Sequence, residues 1–142
     1  MLLMAKQTAS ALVAEYLDRL HEIHRNQRHT PELSYRAANE NLLNAIGQRL
    51  DPPVTTTHEL TDAGAGHPDF GFSETKSGNS RGVVEAKAPD DDVPETADGR
   101  QVSRYWKHYE IVLVTNYRDF LLLHEYVPHF LHNPCSSAIV LP

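Results

Sequence analysis

The spacing of apolar residues predicts two helices in the first third of the chain. Apolar residues recur every three or four positions between residues 8 and 26, as they do in an amphipathic helix. The positions that carry this pattern are Leu12, Val13, Tyr16, Leu17, Leu20 and Ile23. Thr30 and Pro31 suit the N-cap and the first turn of a second helix. We expect this helix to end near Gly47, because two prolines follow at positions 52 and 53.

Shorter apolar segments after residue 50 predict strands. Residues 54–60 predict a first strand, and a polar turn around Gly78-Asn79 predicts a hairpin between two more. The continuous apolar runs 111–114 and 120–123 predict two further strands. Before them, a Pro- and Asp-rich loop is expected over 88–98, followed by a helix with an apolar stripe. That stripe consists of Val102, Tyr105, Trp106 and Tyr109. The predicted order is ααβββαββ, an α/β domain with a mixed central sheet flanked by helices.

Length and composition predict one globular domain. A chain of 142 residues suits a single domain with a modest core. We expect it to span residues 1–127, with a helical lead-in over 1–29 and the core over 30–127. Residues 128–142 show no clear periodicity and are expected to form an irregular tail, which is consistent with a truncated chain.

Cysteine content and hydropathy indicate the compartment. Cys135 is the one cysteine, so an internal disulfide framework is excluded and a reducing environment is expected. No apolar stretch approaches the length needed to span a membrane. We therefore predict a cytoplasmic protein without a membrane partner.

The predicted hairpin brings two acidic residues and a lysine together. Asp69 and Glu85 are each eight residues from Ser77, so a hairpin centred there sets them opposite each other. Side chains paired in this way lie about 5 Å apart at Cβ. Lys87 shares the face of Glu85, because side chains alternate along a strand.

This grouping suits a divalent metal beside a phosphodiester. Two close carboxylates repel each other, and the pKa of one rises unless a cation lies between them. Mg²⁺ prefers oxygen ligands and binds one or two carboxylates together with water and substrate phosphate. A lysine ammonium can orient or deprotonate the attacking water and offset developing negative charge. The pattern therefore indicates metal-dependent cleavage of DNA.

The same residues resemble a known family. Pro68-Asp69 followed by Glu85-Ala86-Lys87 resembles the pattern of the PD-(D/E)XK nuclease superfamily. Gln101-Val-Ser-Arg-Tyr105 resembles the Gln-x-x-x-Tyr helix motif that follows the catalytic strand in many members. The segments 31–36 and 41–46 are similar to the opening helix of the nuclease domain in type ISP and related adenine-methyltransferase fusion enzymes. The segment 114–120 resembles the strand pair that closes that domain.

The resemblance implies a fold, an activity and metal ligands. It implies a restriction-endonuclease-like fold and an endodeoxyribonuclease, a hydrolase that forms the restriction part of a restriction–modification system. The implied ligands of Mg²⁺, which Mn²⁺ can replace, are Asp69, Glu85 and the carbonyl of Ala86. A glutamate on the first core helix is a further ligand in many members. Glu32 is preferred for this role, and Glu40 is the alternative.

The resemblance also implies roles for two more residues. Lys87 would position or activate water. Gln101 would support the site by helping to place the lysine or the water.

The charge balance bears on the expected partners. The net charge is −6, and five acidic residues fall within the predicted loop 88–98. DNA binding usually depends on a basic face, and no stretch rich in lysine and arginine stands out along the sequence. We therefore expect weak binding to DNA by this chain alone, with a methyltransferase or target-recognition module, or a homodimer, as a further partner.

Two alternatives to an active nuclease remain open at this stage. The chain could be an inactive or truncated N-terminal fragment of a methyltransferase–restriction fusion, which acts at most as a DNA-binding or structural module. Alternatively, Asp69, Glu85 and Lys87 could form a salt-bridge cluster on a scaffold.

Overall fold

A six-stranded mixed sheet is the framework of the molecule. The structure is a computed structural model that describes residues 7–26, 31–58, 64–124 and 136–139. The strands lie in the sheet in chain order, and only β3 and β4 run parallel. The strands are β1 Val54–His58, β2 Phe70–Glu74, β3 Ser80–Ala86, β4 Val112–Thr115, β5 Phe120–Leu123 and β6 Ser136–Ile139. The predicted class, a mixed sheet flanked by helices, is confirmed.

Both predicted N-terminal helices are present. Helix α1 spans Ala9–Arg25, and α2 spans Pro31–Gly47. The Thr8 hydroxyl accepts a hydrogen bond from the backbone N–H of Ala11 at 3.2 Å, which satisfies one of the free donors at the start of α1. The predicted cap Thr30 and the end of the first predicted strand, 59–60, lie outside the described residues.

The predicted loop 88–98 contains a short helix, which corrects the sequence prediction. Helix α3 spans Val93–Ala97, and helix α4 follows at Arg100–Tyr109. The carboxylate of Asp92 accepts a hydrogen bond from the N–H of Glu95 at 2.8 Å, and Pro94 occupies the first turn. An aspartate cap followed by proline is a start signal for a helix, even in a segment that composition assigns to a loop.

Residues 136–139 require a second correction. They lie in the segment expected to be irregular, but they form β6, which pairs antiparallel with β5. The sequence gives no local signal here, because the strand depends on the open edge of β5 for its hydrogen bonds.

Two apolar clusters lie on opposite faces of the sheet. The first joins the sheet to α3 and α4, and it includes Val83 and Tyr105. The second joins it to α1 and α2, and the partly buried Ala86 packs against it. Because side chains alternate along β3, Glu85 falls on the α4 side of the sheet, as Val83 does.

None of the helices in the described part of the chain is both long and apolar enough to cross a bilayer.

Candidate active site

The register of the β2–β3 hairpin places Asp69 opposite Glu85. Phe70 pairs with Val84, and continuing this antiparallel register by one residue sets Asp69 against Glu85. Asp69 lies just before β2, and its N–H donates to the carbonyl of Val84, the residue before Glu85, at 3.1 Å. The register predicted from a turn centred on Ser77 is therefore present beside the acidic residues. It shifts only between Phe72 and Ser73, nearer the turn.

Strand β3 is fixed on its other side by β4. The N–H of Val83 donates to the carbonyl of Ile111 at 3.0 Å, and the N–H of Lys87 donates to the carbonyl of Thr115 at 2.8 Å. Gly82 lies at φ 148°, where a Cβ would come within 2.6 Å of the Ile111 carbonyl oxygen. The close contact at Gly82 and the ladder beyond it hold both Glu85 and Lys87 on a rigid strand.

Glu85 is a buried carboxylate with one direct cationic partner. Only 3% of the residue is exposed, and Lys87 Nζ lies 2.6 Å from its Oε1. Burial raises the pKa of Glu85, the hydrogen bond from Lys87 opposes that rise, and the charge of Asp69 adds to it. The hydrogen bond with Glu85 in turn raises the pKa of Lys87. Glu85 and Lys87 therefore lie on the same face of the sheet, as the alternation along the strand predicts.

Both oxygens of Asp69 are engaged. Oδ2 accepts a hydrogen bond from the backbone N–H of Ala86 at 2.9 Å, and Oδ1 forms an ion pair with the guanidinium of Arg36. Burial is the main cause that raises the pKa values of Tyr105 on the α4 side and Tyr117 on the α2 side, and the charge of Asp69 adds to both. Asp69 therefore lies where the two helical layers meet the sheet.

Sequence reasoning missed Arg36. It lies in the segment that resembles the opening nuclease helix, but 33 positions separate it from Asp69, and no local pattern links them. Its guanidinium carbon also lies 5.6 Å from the centre of the Phe70 ring, within the range of a cation–π contact.

Gln101 contacts a buried tyrosine on the same helix. Its Nε2 donates to the hydroxyl of Tyr105 at 2.8 Å, and Tyr105 is fully buried. Burial raises the pKa of this phenol, the Gln101 hydrogen bond opposes that rise, and the charge of Glu85 adds to it. Tyr105 thus links the predicted supporting residue to the acidic pair.

The two candidate helix glutamates are not part of this cluster. The carboxylate of Glu40 contacts Nε2 of His58 on β1, and Glu32 is exposed in the first turn of α2. The described residues contain no group of three or more His, Cys, Asp or Glu side chains that could hold a metal. Neither glutamate is therefore gathered with Asp69 and Glu85 in this arrangement.

The remaining donor set fits a hard divalent cation that keeps several waters. Two carboxylates on facing strand positions supply oxygen ligands, and Mg²⁺ typically takes only one or two from the protein. Arg36 forms an ion pair with Asp69, and Lys87 forms one with Glu85, so both carboxylates already bind cationic side chains.

The solvent-exposed surface of α4 carries positive charge. Arg100, Arg104 and Lys107 are exposed at positions i, i+4 and i+7, and none forms an ion pair with another described residue. We call these three residues the basic face of α4. No stretch rich in lysine and arginine marks this face in the sequence, because apolar and neutral residues separate the three charges while the helical period aligns them.

Together, fold and site define a mixed α/β domain that holds an acidic pair and a lysine at the end of its central strands. No protein-family model matches this chain, and no curated protein is significantly similar to it. Among solved structures, the chain is similar to a chain in the cryo-EM structure of a DrdV–DNA complex. The TM-score is 0.66 and the sequence identity is 21%, over 86% of this chain and 84% of that chain. At this identity the likeness establishes a shared fold.

Proposed function

We propose that this chain is a metal-dependent DNA endonuclease domain of the PD-(D/E)XK type, the restriction part of a restriction–modification system. The observation that carries the proposal is the buried Glu85, which contacts Lys87 at 2.6 Å and which the hairpin register, continued one residue beyond Phe70 and Val84, would set against Asp69. A carboxylate is rarely kept this buried unless it is paired or binds a metal.

In this proposal Asp69, Glu85 and the carbonyl of Ala86 hold Mg²⁺ or Mn²⁺. The bound cation would acidify a water molecule and neutralise charge at the phosphodiester. Because the hydrogen bond with Glu85 raises the pKa of Lys87, this residue keeps its proton at neutral pH. In the metal-bound site Lys87 would orient the attacking water or, once the cation takes its place on Glu85, accept a proton from that water.

Hydrolysis would proceed in line. The water oxygen forms a bond to phosphorus while the bond to the 3′ oxygen breaks, which leaves a 3′-hydroxyl and a 5′-phosphate.

DNA as the substrate is supported by charge and by the fold. The basic face of α4 spans about 10 Å along the helix, from seven residues at 1.5 Å each. Phosphates of one DNA strand are spaced by about 3.4 Å along the helix axis, so three side chains can track neighbouring phosphates. The similar chain in the DrdV–DNA complex is found with DNA, which supports the same partner class here.

Cleavage of supercoiled plasmid tests the activity. We expect nicking that requires Mg²⁺ or Mn²⁺ and that is lost in Asp69→Ala and Lys87→Ala. Matched controls are Asp18→Ala and Lys76→Ala, which remove the same side-chain types from exposed positions. Nicking that survives in the site variants, or that disappears equally in the controls, would contradict the assignment.

The two ion pairs of the site favour a second candidate, a scaffold in which the charges only stabilise the fold. The arrangement of Arg36 on Asp69 and Lys87 on Glu85 is the one such a scaffold would use. Thermal unfolding with increasing Mn²⁺ separates the two. The nuclease proposal expects stabilisation by Mn²⁺ that Glu85→Ala abolishes, and the scaffold expects none.

A further inference from the structure

Arg36 is the cation that meets Asp69 directly. Its guanidinium pairs with Oδ1 of Asp69 and lies over the ring of Phe70, the next residue of β2. Its charge also acts on Tyr117. Burial raises the pKa of that phenol to about 12, although the nearby guanidinium opposes the rise. Arg36 therefore bridges the helical layer of α2 and the acidic pair.

Packing around Tyr117 fixes the position of Arg36. Tyr117 has a left-handed backbone conformation, with φ 73°, and its carbonyl accepts a hydrogen bond from the Tyr16 hydroxyl at 2.6 Å. Its ring stacks on Tyr35 with 5.5 Å between centroids. Tyr35 directly precedes Arg36 on α2, so these contacts hold the start of that helix against the end of the sheet.

We infer that Arg36 is a built-in counterion of the acidic pair, which a divalent cation must displace from Asp69. The inference rests on the proposed metal site. Oδ2 of Asp69 already accepts the N–H of Ala86, so Oδ1 is the oxygen that a cation would take. A guanidinium on Oδ1 repels that cation, and the two compete for one ligand atom. Lys87 has the corresponding place on Glu85.

This competition predicts that a variant of the site can bind metal more tightly than the unchanged protein. Removing the charge at Arg36 should strengthen the binding of metal, whereas removing a residue that merely orients Asp69 should weaken it. A unit charge within about 4–6 Å of an ionised group changes its ion-binding equilibrium by a factor of about ten or more. We therefore expect Arg36→Gln to bind Mn²⁺ about tenfold more tightly than the unchanged protein.

Electron paramagnetic resonance of free Mn²⁺, in a titration of purified protein without DNA, measures this affinity. Arg36→Lys keeps the charge and should stay within about threefold of the unchanged protein. Arg19→Gln is the matched control, because it removes an exposed arginine that pairs with Glu22 at 3.0 Å on α1. Its affinity should not change.

The measured affinities for Mn²⁺ decide whether Arg36 competes with the metal for Asp69. Equal or weaker binding by Arg36→Gln, when Glu85→Ala still abolishes binding, overturns the counterion role and leaves the metal site intact. If no form of the protein binds Mn²⁺, the proposed function fails and the counterion role falls with it. Should Arg36→Gln fail to fold, Tyr117→Phe is the second variant: it removes the hydroxyl that hydrogen-bonds to Arg36, which loosens the guanidinium and should tighten the binding of Mn²⁺. Unchanged binding in that variant would overturn the inference.

Discussion

Substitution of Lys87 by methionine tests whether Glu85 is a buried charge that needs a partner. Lys87→Met keeps the length and apolar stem of the side chain and removes its ammonium group. Glu85 would then be left 3% exposed, without the contact at 2.6 Å that now balances it.

The expected loss of stability depends on how deeply each partner of the ion pair is buried. Removing one partner of a buried ion pair costs about 3–5 kcal/mol, because the other charge stays buried and uncompensated. The side chain of Lys87 is 36% exposed, so water can reach the pair and reduce this penalty. We expect a loss of about 2–3 kcal/mol in the free energy of unfolding at neutral pH.

The loss of stability in Lys87→Met should grow as the pH rises. Burial raises the pKa of Glu85 above its ordinary 4.5, and loss of the Lys87 hydrogen bond removes an opposing effect. An acid whose folded pKa is raised stabilises the fold below its unfolded pKa, and this stability is lost as pH rises toward the folded pKa. The pKa of Lys87 is raised above 10.5 by its hydrogen bond with Glu85, so the lysine stays charged throughout this range and only the ionisation of Glu85 changes the pair. The cost of Lys87→Met should therefore be small near about pH 4 and complete near about pH 8.

Urea unfolding of four proteins measures the effect: the unchanged chain, Lys87→Met, Glu85→Gln and the double variant. The double variant should recover most of the loss, because no charge remains buried. Additive effects of the two substitutions, or a cost that does not vary between acid and neutral pH, would show that Glu85 is not a buried charge that depends on Lys87.

Three further predictions concern other parts of the molecule. Gly82→Ala should cost about 2–4 kcal/mol in the free energy of unfolding, because the added Cβ would meet the Ile111 carbonyl. Gly78→Ala should cost only about 1–2 kcal/mol, for its positive φ, because nothing lies within 4 Å of the added Cβ. Equal losses in thermal unfolding would contradict this. Asn39→Leu should stabilise the fold by about 1–3 kcal/mol, since the fully buried amide makes no hydrogen bond with the described residues; a lower melting temperature would contradict it. Neutralising the basic face of α4 with glutamine should weaken DNA binding and reduce the salt slope by about 0.9 for each phosphate that these side chains no longer neutralise, while Arg19→Gln should change neither.

The sequence alone placed most of the local elements, with α3 and β6 as the exceptions. Helical periodicity located α1 and α2, and alternation along a strand placed Lys87 on the face of Glu85. Equal distances from Ser77 set the register beside Asp69. These features depend on backbone geometry over a few residues, which apolar spacing and turn composition report directly.

The tertiary structure decided which groups surround the acids. It brought Arg36 to Asp69 across 33 positions, turned Glu40 toward His58, and aligned the dispersed charges of the basic face of α4. It also buried Glu85 between strands that carry no local mark of that depth. Such contacts depend on how distant layers pack against the sheet, and packing is a property of the whole fold that no short stretch of sequence encodes.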